Sequence, residues 1–293
     1  MSETGDQVVA RVAAWAESRP DIAALVQIGS RVQPGGAADG WSDYDFQLIT
    51  RRPAAYADPA VLAPIGELWL VSAQPVFGGA TKLTVILPGA VEMDFVVLPH
   101  WQLRVALGAL RFPAAESLWP PPLHHGVRDL RIVACPGWRV IKGGAAWEAR
   151  YRRLGHAVPW PPLDEPRFRA LCAEFWAALV WVTKKIERGE LRAAQREIHR
   201  VLLEKTWLLL EAETRARGAT ARPEARRAET WLDPRRLAQT AIGTAPDAAN
   251  LRRSAAALAE LFADLARHQA GTHGWAHHEP TALLDWVRAH SRL

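Results

Sequence analysis

The chain has 293 residues, of which 49% are hydrophobic, and its formal net charge is +5. This length allows one large domain or two modest ones, and no apolar run reaches the roughly 18 residues of a membrane span. The polar N-terminus argues against a secretory leader, and the two isolated cysteines, Cys135 and Cys172, argue against a disulfide framework, so we expect a cytoplasmic protein. The mild basic excess permits binding of ATP or nucleic acid, but a solvated surface explains it more simply, and no interleaved basic and aromatic motif indicates a nucleic-acid partner.

The first half of the chain combines helix and strand patterns. An apolar stripe that includes Val8, Val12 and Trp15 predicts a helix over residues 7–17. Strands are predicted at residues 24–29, 43–50, 67–73, 83–87 and 91–98, with a glycine-rich loop before the second and a turn before the last. Residues 99–120 are predicted to be helical until a run of prolines, and residues 131–134 are weakly strand-like.

After Pro166 the apolar residues recur at helical spacing, which predicts a series of helices. No internal repeat of solenoid length is visible. We therefore predict an α/β (α+β) protein: an N-terminal domain at residues 1–150, with a mixed sheet flanked by helices, followed by a C-terminal helical bundle at residues 151–293.

Acidic residues lie in pairs on two of the predicted strands. Asp43 and Asp45 are separated by one residue, as are Glu92 and Asp94, so each pair shares one face of its strand. Burying a lone carboxylate in an apolar strand costs several kcal/mol unless the group is paired or binds a metal. Carboxylates of this kind, together with substrate phosphates, are typical ligands of Mg²⁺.

Two interpretations of these acids are open. An ion pair with Arg31 or Lys82 would explain any one of them. Several acids on two strands, preceded by Gly29 and Ser30, favour a metal site instead. Glycine lets the backbone approach a phosphate and serine supplies N–H and O–H donors, although an isolated Gly-Ser pair is usually a turn and no P-loop lysine follows it.

These segments carry a resemblance to a known family. Gly29-Ser30-Arg31, the Ser42–Asp45 segment and the Val91–Pro99 segment resemble the signature of polymerase-β-type nucleotidyltransferases. More closely, they are similar to the aminoglycoside 6-adenylyltransferase (streptomycin adenylyltransferase) family. In the helical half, residues 172–176 and 202–207 are similar to the first helices of that family.

The resemblance implies a Mg²⁺-dependent transfer of AMP from ATP to a hydroxyl of an aminoglycoside-like acceptor, with release of pyrophosphate. It implies that one set of residues holds the metal and carries out the chemistry: Asp43, Asp45 and Asp94. Within this set, Asp94 would share the metal or act as general base. It implies that a second set holds the phosphates of ATP: Gly29, Ser30, Arg31 and Lys82.

A polycationic acceptor requires carboxylates in its pocket. Glu92, Glu174 and the Asp164-Glu165 pair are the candidates. A solvated helix face explains Glu174 equally well, and a helix N-terminus is the favoured explanation of Asp164-Glu165. Two alternatives remain open. The same chemistry would serve another antibiotic, a protein or an RNA as acceptor, and a non-catalytic nucleotide-binding protein would retain the same acids.

Overall fold

The computed structural model describes residues 5–33, 38–76, 80–112, 116, 118–134, 137–154, 163–219, 221–243, 245–277 and 279–291. The chain divides into two compact units, Met1–Pro161 and Pro162–Leu293. The first contains a sheet with flanking helices and the second contains helices, so the predicted α/β class is confirmed. None of the described helices is both long and apolar enough to cross a bilayer.

The first unit is built around a sheet of six strands in the order β3-β4-β5-β2-β1-β6. Its elements are α1 (Gly5–Glu17), β1 (Ile22–Ile28), β2 (Tyr44–Thr50), β3 (Leu70–Pro75), β4 (Thr81–Leu87), β5 (Val91–Pro99), α2 (His100–Ala109), α3 (Pro121–Ala134), β6 (Trp138–Lys142) and α4 (Gly144–Tyr151). The central strands β2 and β5 run parallel, while the other neighbouring pairs are antiparallel. The sheet is therefore mixed, as predicted.

Side-chain alternation gives the central strands two different faces. On one face, Phe46 and Phe95 stack with ring centroids 5.1 Å apart and pack with Trp15 of α1. On the other face, Ile49 packs in a core that includes Trp147 of α4 and residues of α2 and α3. Residues 45, 47 and 49 alternate with Phe46, so the side chain of Asp45, which belongs to the site described below, lies on this second face.

Two expectations for the middle of the chain are wrong. Residues 131–134 form the last turn of α3 rather than a strand, and the helix expected over residues 99–120 ends at Ala109. The proline run begins α3 instead of only ending a helix, because proline is tolerated in the first helical turn, where its missing N–H has no partner to lose. The edge strand β6, which pairs with β1, was not predicted.

The sheet unit continues past residue 150. Tyr151 and Leu154 are buried in the core together with Trp147, and the Tyr151 hydroxyl donates to Gln47 Oε1 at 2.5 Å. These contacts bind the end of α4 and the residues that follow it to the sheet unit. The assignment of residues 1–150 and 151–293 to separate functions stays a prediction.

The described residues of the second unit form helices joined by turns and loops, with no strand among them. Its elements are α5 (Glu165–Glu187), α6 (Leu191–Glu197), a π-helical stretch (Ile198–Leu203), α7 (Glu204–Ala216), α8 (Ala228–Trp231), α9 (Pro234–Gln239), α10 (Ala248–His273) and α11 (Thr281–Ser291). The stacked rings of Phe175 and Phe262, 3.7 Å apart, join α5 to α10 in its core. Asp164 caps α5 by accepting from the Arg167 amide at 2.8 Å, the role typical of a helix N-terminus.

Candidate metal centre

Three carboxylates converge at one end of the central strands. Each of Asp43, Asp45 and Asp94 offers an oxygen, and these oxygens all lie within 4.8 Å of one another. Asp45 and Asp94 are direct neighbours across the parallel pair of β2 and β5, so their side chains emerge on the same face. Asp43 lies just before β2, which begins at Tyr44, and joins them from two residues upstream. The convergence expected from the sequence is observed.

Asp94 is the buried member of this cluster, with 5% of its surface exposed. Its two oxygens are both engaged: Lys82 Nζ lies 2.6 Å from Oδ2, and the Thr84 hydroxyl donates to Oδ1 at 2.5 Å. Both partners project from β4, where Thr84 is the direct neighbour of Asp94. The ion pair with Lys82, one of the two interpretations of the sequence, is therefore observed for this acid.

Lys82 contributes a positive charge to the cluster through its contact with Asp94. Its hydrogen bond to Asp94, opposed by burial of the ammonium, raises its pKa above the ordinary value, and the charges of Asp94, Asp45 and Glu92 raise the pKa further. The ammonium is therefore held in its charged form at neutral pH. It offsets part of the repulsion among the clustered carboxylates.

Gly29 allows the Asp45 carboxylate to lie against the backbone. It follows β1 with φ 80° and ψ −160°, a conformation essentially restricted to glycine. A Cβ at this position would lie 2.2 Å from Asp45 Oδ2 and 3.1 Å from its Cγ. The small residue is thus required by the position of the acid, a role that the sequence did not reveal. Ser30 begins the short 3-10 helix that follows.

Arg31 fixes the segment that leads into β2. Its Nε donates to the carbonyl oxygens of Ser42 at 3.1 Å and Asp43 at 3.0 Å. Its guanidinium lies 3.8 Å from the centroid of the Tyr44 ring. The side chain therefore positions the backbone of a cluster carboxylate, and its predicted contact with phosphate stays a prediction.

The two predicted acceptor residues lie in different units. Glu92 is exposed on β5, two residues before Asp94. Glu174, in α5 of the second unit, forms an ion pair with Lys205, and 58% of its side chain is exposed. This environment is typical of a solvated helix face, the alternative that the sequence left open for Glu174.

A cavity of about 1280 Å³ opens beside the cluster within the first unit. Its wall includes Asp43 and Glu92 together with Arg11 and Arg31, so that both charge signs face it. It also includes Trp41, which is 95% exposed. Trp41 and Thr84 were not predicted as site residues from the sequence. The spacing of Lys82 and Thr84 along β4 indicated that they share a strand face, but only the register of β4 on β5 brings both to Asp94.

Comparison with known proteins gives similarities of fold. A crystal structure of an aminoglycoside 6-adenyltransferase from Bacillus subtilis aligns with 99% of this chain and 98% of its own, at a TM-score of 0.43 and 9% identity. The structure of a nucleotidyltransferase-like protein from Exiguobacterium sibiricum aligns with 89% of this chain and 75% of its own, at a TM-score of 0.35 and 13% identity. No protein-family model matches the chain, and the curated proteins yield no match. Both similarities concern the fold alone.

Proposed function

We propose that the protein is a Mg²⁺-dependent nucleotidyltransferase that transfers AMP from ATP to a hydroxyl of an aminoglycoside-like acceptor. The observation that carries the proposal is the convergence of Asp43, Asp45 and Asp94, whose oxygens lie within 4.8 Å of one another. Hard carboxylate oxygens are the ligands that Mg²⁺ prefers, and Mg²⁺ usually takes one or two of them along with substrate phosphates.

The donor set fits a divalent cation shared with a triphosphate. Asp43 and Asp45 are half-buried, which leaves one side of the cluster open to a phosphate. A bound divalent cation would orient the triphosphate and stabilise the negative charge that develops on pyrophosphate. In this proposal Lys82 adds a positive charge beside the same phosphates, and the Gly29 and Ser30 backbone contacts them.

Asp94 is proposed as the general base. Its pairing with Lys82 and Thr84 holds the carboxylate in one orientation in a buried setting. The carboxylate would accept the proton of the acceptor hydroxyl while the hydroxyl oxygen bonds to the α-phosphorus of ATP. The bond from that phosphorus to the bridging oxygen breaks, and pyrophosphate leaves.

The acceptor is proposed from charge complementarity. Glu92 is exposed beside the cluster and would attract a cationic amine next to the reacting hydroxyl. Glu174 stays a proposed acceptor residue of the second unit, where it forms an ion pair with Lys205. In this proposal the first unit is the nucleotidyltransferase domain and the second is the substrate-binding domain.

The test is a mass-spectrometric assay of the full chain with ATP, MgCl₂ and a panel of aminoglycosides. We expect the mass of an AMP adduct on at least one acceptor, with pyrophosphate released in equal amount. The double variant Asp43→Asn, Asp45→Asn should abolish both products, while Asp129→Asn, an acid of the same unit outside the cluster, should leave them unchanged. Absence of adduct and of Mg²⁺·ATP binding in the unaltered protein would refute the proposal.

Addition of AMP to a protein or an RNA, but to no aminoglycoside, would retain the chemistry and reject the acceptor. Binding of ATP without any transfer would favour the non-catalytic alternative. Both alternatives predict loss of nucleotide binding in the double variant, so the adduct itself is the deciding measurement.

A further inference from the structure

An aromatic side chain stands exposed beside the carboxylate cluster. Trp41 is 95% exposed, more than any other large hydrophobic side chain among the described residues, and it lies two positions before Asp43. An indole in water forgoes one of the largest gains from burial that a side chain offers. Its position in the wall of the cavity points to a ligand that covers it.

The backbone beneath this indole is held on both sides. The Trp41 amide donates to Asp39 Oδ1 at 3.0 Å, and the Ser42 hydroxyl donates to the same oxygen at 3.0 Å. On the following side, Arg31 holds the carbonyls of Ser42 and Asp43. Trp41 is therefore carried by an anchored turn that is continuous with a cluster carboxylate.

The charged groups of the cavity wall suit the separate parts of a Mg²⁺-bound nucleotide. Arg11 and Arg31 line it beside Trp41 and would attract phosphates, while the carboxylates of Asp43 and Glu92, also in its wall, suit phosphates that carry Mg²⁺. A nucleotide combines phosphates, which suit the cations, with a flat aromatic base, which suits an indole. The cavity, at about 1280 Å³, is also large enough for a ligand of this size.

We infer that Trp41 stacks on the base of the nucleotide and that the cavity beside Asp43 is the nucleoside subsite. The inference rests on the proposed function, because the triphosphate must lie at the carboxylate cluster for the base to reach Trp41. Stacking on an aromatic side chain is tolerant of base identity, so this contact supplies affinity for nucleotides rather than choice among them.

The experiment is calorimetric titration of the full chain with Mg²⁺·ATP and, separately, with Mg²⁺·tripolyphosphate, which lacks the nucleoside. Trp41→Ala should weaken ATP binding about tenfold, within the range measured for base–aromatic stacking, and leave tripolyphosphate binding unchanged. Trp41→Phe should recover most of the ATP affinity. Trp101→Ala removes another exposed indole, on α2 and outside the cavity wall, and should change neither ligand.

The outcomes separate the two proposals. Equal ATP affinity in Trp41→Ala and the unaltered chain would overturn the stacking assignment while leaving the enzyme proposal intact. Equal losses for ATP and tripolyphosphate would also overturn it, because they would mean that the substitution disturbs the turn rather than a base contact. Failure of the unaltered protein to bind either ligand would refute the proposed function and this subsite with it.

Discussion

Substitution of Gly29 by alanine tests the geometry of the carboxylate cluster without removing an acid. The added methyl group would lie 2.2 Å from Asp45 Oδ2, far inside any permitted contact, so the carboxylate must rotate away. The backbone at this position, with φ 80° and ψ −160°, adds strain for any residue with a Cβ. The variant should therefore lose both stability and the position of a proposed metal ligand.

The two effects have different magnitudes and different readouts. Backbone strain of this kind costs about 1–3 kcal/mol in the free energy of unfolding, measured by urea denaturation. Displacement of a carboxylate ligand should weaken Mg²⁺·ATP binding at least tenfold, by analogy with the 10–100-fold losses on altering groups that orient metal ligands. Calorimetric titration at a temperature where the variant remains folded measures the second effect alone.

Gly144→Ala is the matched control. Gly144 also has a positive φ, 61°, but a Cβ placed there would meet no described atom within 4 Å apart from its chain neighbours and the nearby backbone of its own helix. It should lose a comparable 1–2 kcal/mol of stability and bind Mg²⁺·ATP as the unaltered protein does. If Gly29→Ala retained full affinity, or if both variants lost affinity in proportion to their stability, the cluster would not depend on the contact between Gly29 and Asp45.

Three further predictions concern the same unit. Lys82→Met should destabilise the protein, because it removes the cation that pairs with buried Asp94. The pKa of Lys82 is raised above 10.5 in the folded state, so the stability that Lys82 contributes is present below pH 10.5 and is lost as the pH rises through its folded-state pKa. Urea denaturation at a series of pH values should show that this alkaline loss of stability is absent from the variant. Burial, followed by the hydrogen bond to Asp21, raises the pKa of Tyr56 from 10.0 to about 12, so the free energy of unfolding should fall as the pH rises between those two values. Tyr56→Phe should remove this fall and should cost about 1 kcal/mol of stability at neutral pH, because the hydrogen bond is lost. An unchanged pH profile of stability in the variant would contradict this assignment. Lysine lacks the planar guanidinium that donates to the carbonyls of Ser42 and Asp43 while it lies on the Tyr44 ring, so in Arg31→Lys we expect Mg²⁺·ATP to bind several-fold more weakly by calorimetry. An unchanged dissociation constant would mean that the segment before β2 is ordered without Arg31.

The sequence alone indicated the five strands β1 to β5 and which acids share a strand face, although it missed β6 and placed a strand at residues 131–134. Alternation along the chain is a local property, so the spacing of Asp43 and Asp45, and of Glu92 and Asp94, was enough to pair them. Strand order and register depend on contacts between distant segments. Only the fold makes β2 and β5 parallel neighbours with Asp45 opposite Asp94.

The partners of each candidate residue were decided by the tertiary structure. Lys82 was visible as a possible partner of an acid, but only the register of β4 on β5 brings Lys82 and Thr84 to Asp94. Trp41 gave no signal, because its exposure depends on how the preceding turn folds and on which side chains cover it. Local patterns record the faces of single elements, whereas burial and contact arise only when elements pack together, and the site depends on both.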